Sequence, residues 1–147
     1  MLIRSATQTD QVSWERMRQA LWPSPARGHA GEIERYFAGK LREPIEVLIA
    51  FDEREEAIGF IELSIRAYAE GCVSDRVAFV EGWYVEPDVR RKGVGAALIR
   101  AAENWARSQG CIELGSSTEL ENVPSAAAHQ AVGFIETGVV RCFKRSL

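Results

Sequence analysis

The sequence predicts a mixed α/β domain, with a mostly antiparallel sheet and helices packed on its faces. Three apolar runs, Ile45–Phe51, Ala57–Ile65 and Val77–Val85, follow one another through polar connections, as antiparallel strands do. After residue 77 strand-like and helix-like stretches alternate, which favours a layered sheet over a sandwich or a bundle. The chain has 147 residues, 46% of them apolar. That length suits one domain spanning residues 1–147, burying roughly 68–70% of its unfolded surface.

The elements follow in order. Leu2 to Ala6 reads as an opening strand. Thr9 or Asp10 can then cap a helix carrying Val12, Trp14, Met17, Ala20 and Leu21, which Pro23 stops after Trp22. The loop WPSPARGHAG is rich in proline and glycine, and His29 within it reads as solvent-exposed. Glu32 to Leu41 has helical spacing at Ile33, Tyr36, Phe37 and Leu41. Between the second and third apolar runs, RAYAEGCVSDR is long enough to border a site. From Gly93 to Gln109 the stripe Val94, Ala97, Leu98, Ala101, Trp105 predicts a helix that Gly110 ends. Cys111–Gly115 reads as a short strand, Val123–Val132 as a helix that Gly133 ends, and Ile135–Phe143 as a final strand.

Composition removes several classes of function. The 21 acidic residues exceed the 18 basic ones, so a general nucleic-acid binder is disfavoured and a cationic partner suits the chain better. Cys72, Cys111 and Cys142 are too few for a disulfide framework and lie in no zinc-like spacing. They read as small buried hydrophobes in a reducing compartment, and no metal is expected. No stretch approaches the roughly 18 apolar residues of a membrane span, and the N-terminus has no apolar leader core. A cytoplasmic protein without membrane contact is the expectation.

The segment VEGWYVEPDVRRKGVGAALIRAAENWA carries the chemistry. A strand leads through Pro87 and a basic turn into Gly93-x-Gly95 at a helix start. The glycines admit close approach to the backbone, the first helical amides lack intrahelical acceptors, and the positive end of the dipole favours phosphate. Arg90, Arg91 and Lys92 add cations beside Val94, Gly95 and Ala96. Neither the Walker pattern nor GxGxxG is present, which weakens kinase and dehydrogenase readings.

Arg90-x-x-Gly93-x-Gly95-Ala96 after a strand resembles the acyl-CoA pyrophosphate loop of the GCN5-related N-acetyltransferases (GNAT), and Asn122…His129-Gln-Ala-Val-Gly-Phe134 resembles their second cofactor segment. The resemblance covers nearly the whole chain. It implies a GNAT fold with a splayed central strand pair, acetyl-CoA as co-substrate, and cofactor contacts at Trp83, Tyr84, Val85, Arg90–Ala96 and Asn122. Gln19-Ala-Leu-Trp22-Pro23, the loop with Tyr68 and Gly71-Cys72, Phe79-Val-Glu81-Gly82 and the His129–Phe134 motif further resemble aminoglycoside 6′-N-acetyltransferases.

That subgroup implies direct transfer of acetyl to an amine in a ternary complex, on a cationic aminoglycoside held by Trp22, Tyr68, Glu81, Ser117 and Glu136. Several members have an aspartate where this chain has Ser117 and a glutamate where it has Gly138; Glu119, Glu121 and Glu136 lie near enough in sequence to substitute. Glu81 is the candidate proton acceptor or amine-orienting group; its plainer alternative is a salt-bridged strand residue. His129 stands where many relatives carry a proton-donating tyrosine, and it reads equally as a histidine hydrogen-bonded on a helix face. Relatives often form homodimers, so a homodimer is expected. The alternatives are a polyamine or peptide-amine acetyltransferase and a non-catalytic acyl-CoA-binding regulator.

Overall fold

The computed structural model describes residues 1–24, 26 and 28–147; two residues of the proline-rich loop, 25 and 27, lie outside the described residues. Five strands form one sheet: β1 (Leu2–Ser5), β2 (Glu46–Phe51), β3 (Ala57–Arg66), β4 (Val77–Val85) and β5 (Leu114–Ser116), in that spatial order. The first four pair antiparallel and β5 pairs parallel to β4. The mixed, mostly antiparallel sheet is the one expected. Period-two alternation in β3 sends Phe60 to one face and Ile61 and Leu63 to the other; in β4 Tyr84 lies with Phe60 and Val80 with Leu63, a spacing of four residues that alternation alone would keep on one face.

Helices α1 (Gln11–Leu21) and α2 (His29–Phe37) cover the first face, burying Trp14, Met17 and Ile33 against Phe60 and Tyr84. Helix α3 (Val94–Ser108) covers the second, burying Val94, Leu98, Ile99 and Ala102 against Leu48, Ile61 and Leu63. Helix α4 (Val123–Ala131) lies over the same side through Val132 and Phe134 just beyond its end. A charged cluster is sealed under α1. Glu62 accepts from Trp14 Nε1 at 2.9 Å and lies 3.1 Å from Arg18 Nε, while Arg18 also bonds Glu32. Arg18 and Glu62 are both essentially inaccessible, and the ion-pair contact with Glu62 and the bond to Glu32 offset the cost of burying that charge.

Two features of β4 position the site. Leu63 pairs with Val80 and Glu62 with Gly82, so Glu81 is an extra residue in a bulge. Residues 81 and 82 then both face α1, and Trp83 returns to the α3 side. The pairing of β4 with β5 covers only Ala78–Val80 against Leu114–Ser116. Beyond Ser116 the strands part, leaving the edge of β4 from residue 81 to 85 without a β5 partner.

Several boundaries differ from expectation. Helix α2 begins at His29 and ends at Phe37 rather than running from Glu32 to Leu41. Gly39, at φ 69°, turns the chain there, with Gly39 N–H on Tyr36 O and Lys40 N–H on Arg35 O, the two bonds of a Schellman stop. His29 is therefore buried in the first turn of α2, not exposed in a loop; its ring bonds Trp22 O at 3.0 Å and stacks on the Trp22 indole. The expected strand at Ile135–Phe143 is absent: the segment is irregular, and Ile135, Val139, Val140 and Phe143 are exposed. Its apolar alternation has no strand to pair with and no helix above it among the described residues. Cys111 is buried as expected, whereas Cys142 lies exposed in that same segment.

Candidate active site

One half of the candidate site is built around the bulge. Glu81 keeps 18% of its side-chain surface, and its carboxylate accepts from Ser64 Oγ and from Arg66 through Nε at 3.1 Å and Nη2 at 2.9 Å. The salt-bridged geometry weighed as the plainer alternative is thus present. Gly82 leaves room for Trp22, whose ring would stand 2.5 Å from a Cβ at that position. Trp22 is further fixed by Phe60 edge-on and by Arg18 5.2 Å from its ring. It lines an open recess of about 490 Å³ with Leu21, Pro23, Ser24 and Ala26.

Tyr68 lies on the loop after β3 and is 67% exposed, while its neighbour Ala69 is buried against Val77 and Phe79. The charge of Glu70 and its hydrogen bond hold the Tyr68 hydroxyl above the usual tyrosine range. The C-terminal segment passes over this loop: Thr137 donates to Glu70 O at 3.3 Å and sits where a Cβ on Gly71 would be. Glu136 adjoins that contact in sequence and is exposed; Ser117, one residue past β5, is exposed too. Trp22 packs at Gly82, next to Glu81 in β4, whereas no hydrogen bond among the described residues joins Ser117 or Glu136 to Glu81.

The other half of the candidate site lies on the opposite face of the same strand. Gly93, at φ 87°, caps α3, and the first closing bond of the helix runs from Ala97 N–H to Gly93 O at 3.0 Å. The amides of Val94, Gly95 and Ala96 therefore have no intrahelical acceptor. Arg91 and Lys92 are exposed, whereas Arg90 folds back to donate from Nε to Val85 O at 2.8 Å. Trp83 packs on Gly95 and meets His129 edge-on at 5.3 Å; its Nε1–H is buried without a partner. A buried donor without an acceptor, beside an open strand edge and three free amides, fits a ligand rich in carbonyl and phosphate oxygens. The Tyr84 side chain points away into the α1–α2 core, its hydroxyl on Glu86 at 3.0 Å, and its carbonyl is turned to β3 beside Gly59, so Trp83 and Val85 rather than Tyr84 face the open edge.

His129 is hydrogen-bonded through both nitrogens. Nδ1–H donates to Ser125 O at 2.7 Å, so in the neutral ring Nε2 accepts from Ser116 Oγ at 2.7 Å. Asn122 caps α4, its Oδ1 accepting from Ser125 N–H at 3.2 Å. Sequence reasoning missed Ser64, Arg66 and Phe79. Period two along β3 puts Ser64 and Arg66 on one face, and the pairing of Ser64 with Phe79 puts Phe79 and Glu81 on the same one, a register that single-strand patterns do not show.

The chain matches the Acetyltransferase (GNAT) family over residues 14–134. It belongs to that family. Among individual relatives of this GNAT protein, the aminoglycoside N(6')-acetyltransferase type 1 of Klebsiella aerogenes is 52% identical over 147 residues, covering 99% of this chain and 97% of that one. The crystal structure of the aminoglycoside antibiotic 6'-N-acetyltransferase AAC(6')-IG from Acinetobacter haemolyticus superposes with a TM-score of 0.91 at 36% identity, covering 100% of this chain and 99% of that one. A structure of AAC(6')-Iy in complex with the bisubstrate analog CoA-S-monomethyl-acetylneamine gives 0.89 at 36% identity, over 99% and 98% of the two chains. The mixed sheet flanked by helices is thus the GNAT fold the sequence resemblance implied.

Proposed function

We propose that this GNAT acetyltransferase moves the acetyl group of acetyl-CoA to the 6′-amine of an aminoglycoside, by direct attack in a ternary complex. The observation that carries the reading is β4 itself. Its bulge turns Glu81 and the Trp22 contact to one face, and its unpaired edge leads to the free amides of α3 on the other. Likeness over the full chain to proteins named for aminoglycoside acetylation supports the choice of acceptor.

Acetyl-CoA supplies an activated acyl group on a good leaving group. The residues of this chain bind and orient. The amides of Val94, Gly95 and Ala96, with Arg90, Arg91 and Lys92, suit a diphosphate; the open edge at Trp83 and Val85, where Arg90 already holds the Val85 carbonyl, suits with Asn122 the amides of a pantetheine arm. A β4 amide at Trp83 or Val85 is the donor proposed to polarise the acyl carbonyl. Trp22, Tyr68, Glu81, Ser117 and Glu136 form the proposed acceptor surface, and Glu81 receives or orients the ammonium proton. Holding both reactants in line supplies much of the rate. The scheme needs no metal and no nucleic acid.

Two wider features belong to the same reading. The exposed apolar residues Ile135, Val139, Val140 and Phe143 support a homodimer in which a second copy covers the C-terminal segment. Three unpaired cysteines support a cytoplasmic site of action. The deciding experiment is thiol release from acetyl-CoA with kanamycin or tobramycin, followed by assignment of the acetylated amine. Turnover with spermidine or a lysine peptide, and none with either antibiotic, would leave an acetyltransferase of another substrate class. Sedimentation of the Val139→Asp variant against the parent protein tests the dimer.

A further inference from the structure

The Glu81 carboxylate already holds a cation. Oε1 accepts from Arg66 Nε at 3.1 Å and Nη2 at 2.9 Å, and Nη2 also reaches Oε2 at 2.9 Å. The Arg66 guanidinium carbon lies 3.7 Å from the centroid of the Phe79 ring. That ring is backed by Ala69 and Gly115. A carboxylate beside an aromatic face is a general receptor for an organic ammonium, and here a residue of the chain fills it.

The contrast with Arg18 indicates what kind of pair this is. Arg18 and its partner Glu62 are 1% and 2% exposed in their side chains, with no path to solvent. Arg66 keeps 37% of its side-chain surface and opens onto a recess of about 560 Å³ lined by Leu41, Arg42, Glu43, Ile65 and Ala67. The first arrangement is locked; the second has an exit with a carboxylate, Glu43, on its wall.

We propose that Arg66 is a resident cation that occupies, at Glu81 and Phe79, the place an acceptor ammonium takes, and that it yields by swinging toward the Glu43 recess. The proposal rests on the reading of Glu81 as the anchor of the acceptor amine. Its consequence is a threshold for substrates. An acceptor with one ammonium exchanges one cation for another and gains little. An acceptor with several gains at each further carboxylate it reaches, so displacement of Arg66 selects polycations.

The test uses the whole protein with tobramycin as the probe. In the unaltered protein, the Arg66 Nε–H signal, assigned by its loss in Arg66→Lys, should move to the position of a free guanidinium as tobramycin saturates. In Arg66→Gln the competitor is gone, so tobramycin should bind up to about fivefold tighter, the worth of a partly exposed ion pair, with a lower KM and no rise in kcat. A signal unmoved at saturation, or weaker tobramycin binding in Arg66→Gln, overturns the proposal. Glu81→Gln separates the two readings. If it leaves tobramycin affinity unchanged, Glu81 is not the anchor and both fall; if affinity drops while the Arg66 signal never moves, only the resident cation is wrong.

Discussion

Gly82 and Trp22 occupy one another's space: a Cβ built on Gly82 would lie 2.5 Å from the tip of the indole and 2.9 Å from the next ring carbon. The ring cannot slide away freely, because His29 stacks on it and Phe60 meets it edge-on. Gly82→Ala should therefore cost about 1–3 kcal/mol, the range for overpacking, and should raise KM for the acceptor as Trp22 shifts. Denaturant melts and amine saturation curves read the two effects separately.

Glu81→Gln keeps the shape of the bulge and removes the charge. If the carboxylate takes or steers the ammonium proton, turnover should fall by about a hundredfold or more, within the usual range for a positioned base. Acetyl-CoA affinity by calorimetry should change little, since the groups proposed to hold the cofactor lie on the other face of β4. Near-normal turnover would reduce Glu81 to a strand ion pair with Arg66.

Asp10 joins the end of β1 to the start of α1. It accepts from Arg4 at 2.7 and 3.0 Å and from the Thr7 backbone N–H at 2.7 Å. The Arg4 hydrogen bonds, reinforced by those from Thr7, hold its carboxyl below the ordinary value of 3.8. A lowered folded-state value makes the contribution full above pH ~4 and lost as the pH falls through that lowered value. Asp10→Asn should thus cost about 1–3 kcal/mol at neutral pH, and its melts should converge with those of the parent once the pH has fallen through that lowered value.

How far the sequence could be read depended on whether the cause was local. The α3 start was legible because Gly93-x-Gly95 and the stripe from Val94 to Trp105 are local signals, and Gly110 marked the stop correctly. Gly39 is the same kind of stop signal for α2, but Leu41 continues the apolar spacing beyond it. The register of β3 on β4 was invisible: an extra residue at Glu81 shows only when two strands are laid together, so Arg66 and Ser64 went unnoticed. Ile135–Phe143 is rich in strand-favouring residues but finds no partner strand among the described residues, and pairing is a tertiary property that the segment itself does not carry.

Tyr36 packs edge-on against Trp14, and burial, followed by the charge of Glu46, pushes its hydroxyl up to about 12. A raised value means the neutral phenol is favoured in the folded chain, so its stabilising share persists below pH ~10 and is lost as the pH climbs toward 12. Ultraviolet titration should show the last tyrosine ionising near pH 12, and Tyr36→Phe should remove that step. Ionisation of all three tyrosines near the ordinary value would mean that the α1–α2 layer is looser than described.

Gly93 and Gly39 make a matched pair for testing the anion site. Both have positive φ, 87° and 69°, and a Cβ on either would meet nothing within 4 Å. Alanine at each should cost the same about 1–2 kcal/mol of left-handed strain, with no clash to confuse the comparison. Only Gly93 precedes the free amides of α3, where a diphosphate would need the backbone bare. Gly93→Ala should therefore weaken acetyl-CoA binding in calorimetry while Gly39→Ala leaves it unchanged at equal loss of stability. Equal affinities in the two variants would move the diphosphate away from this turn, and the cofactor assignments from Arg90 to Ala96 would go with it.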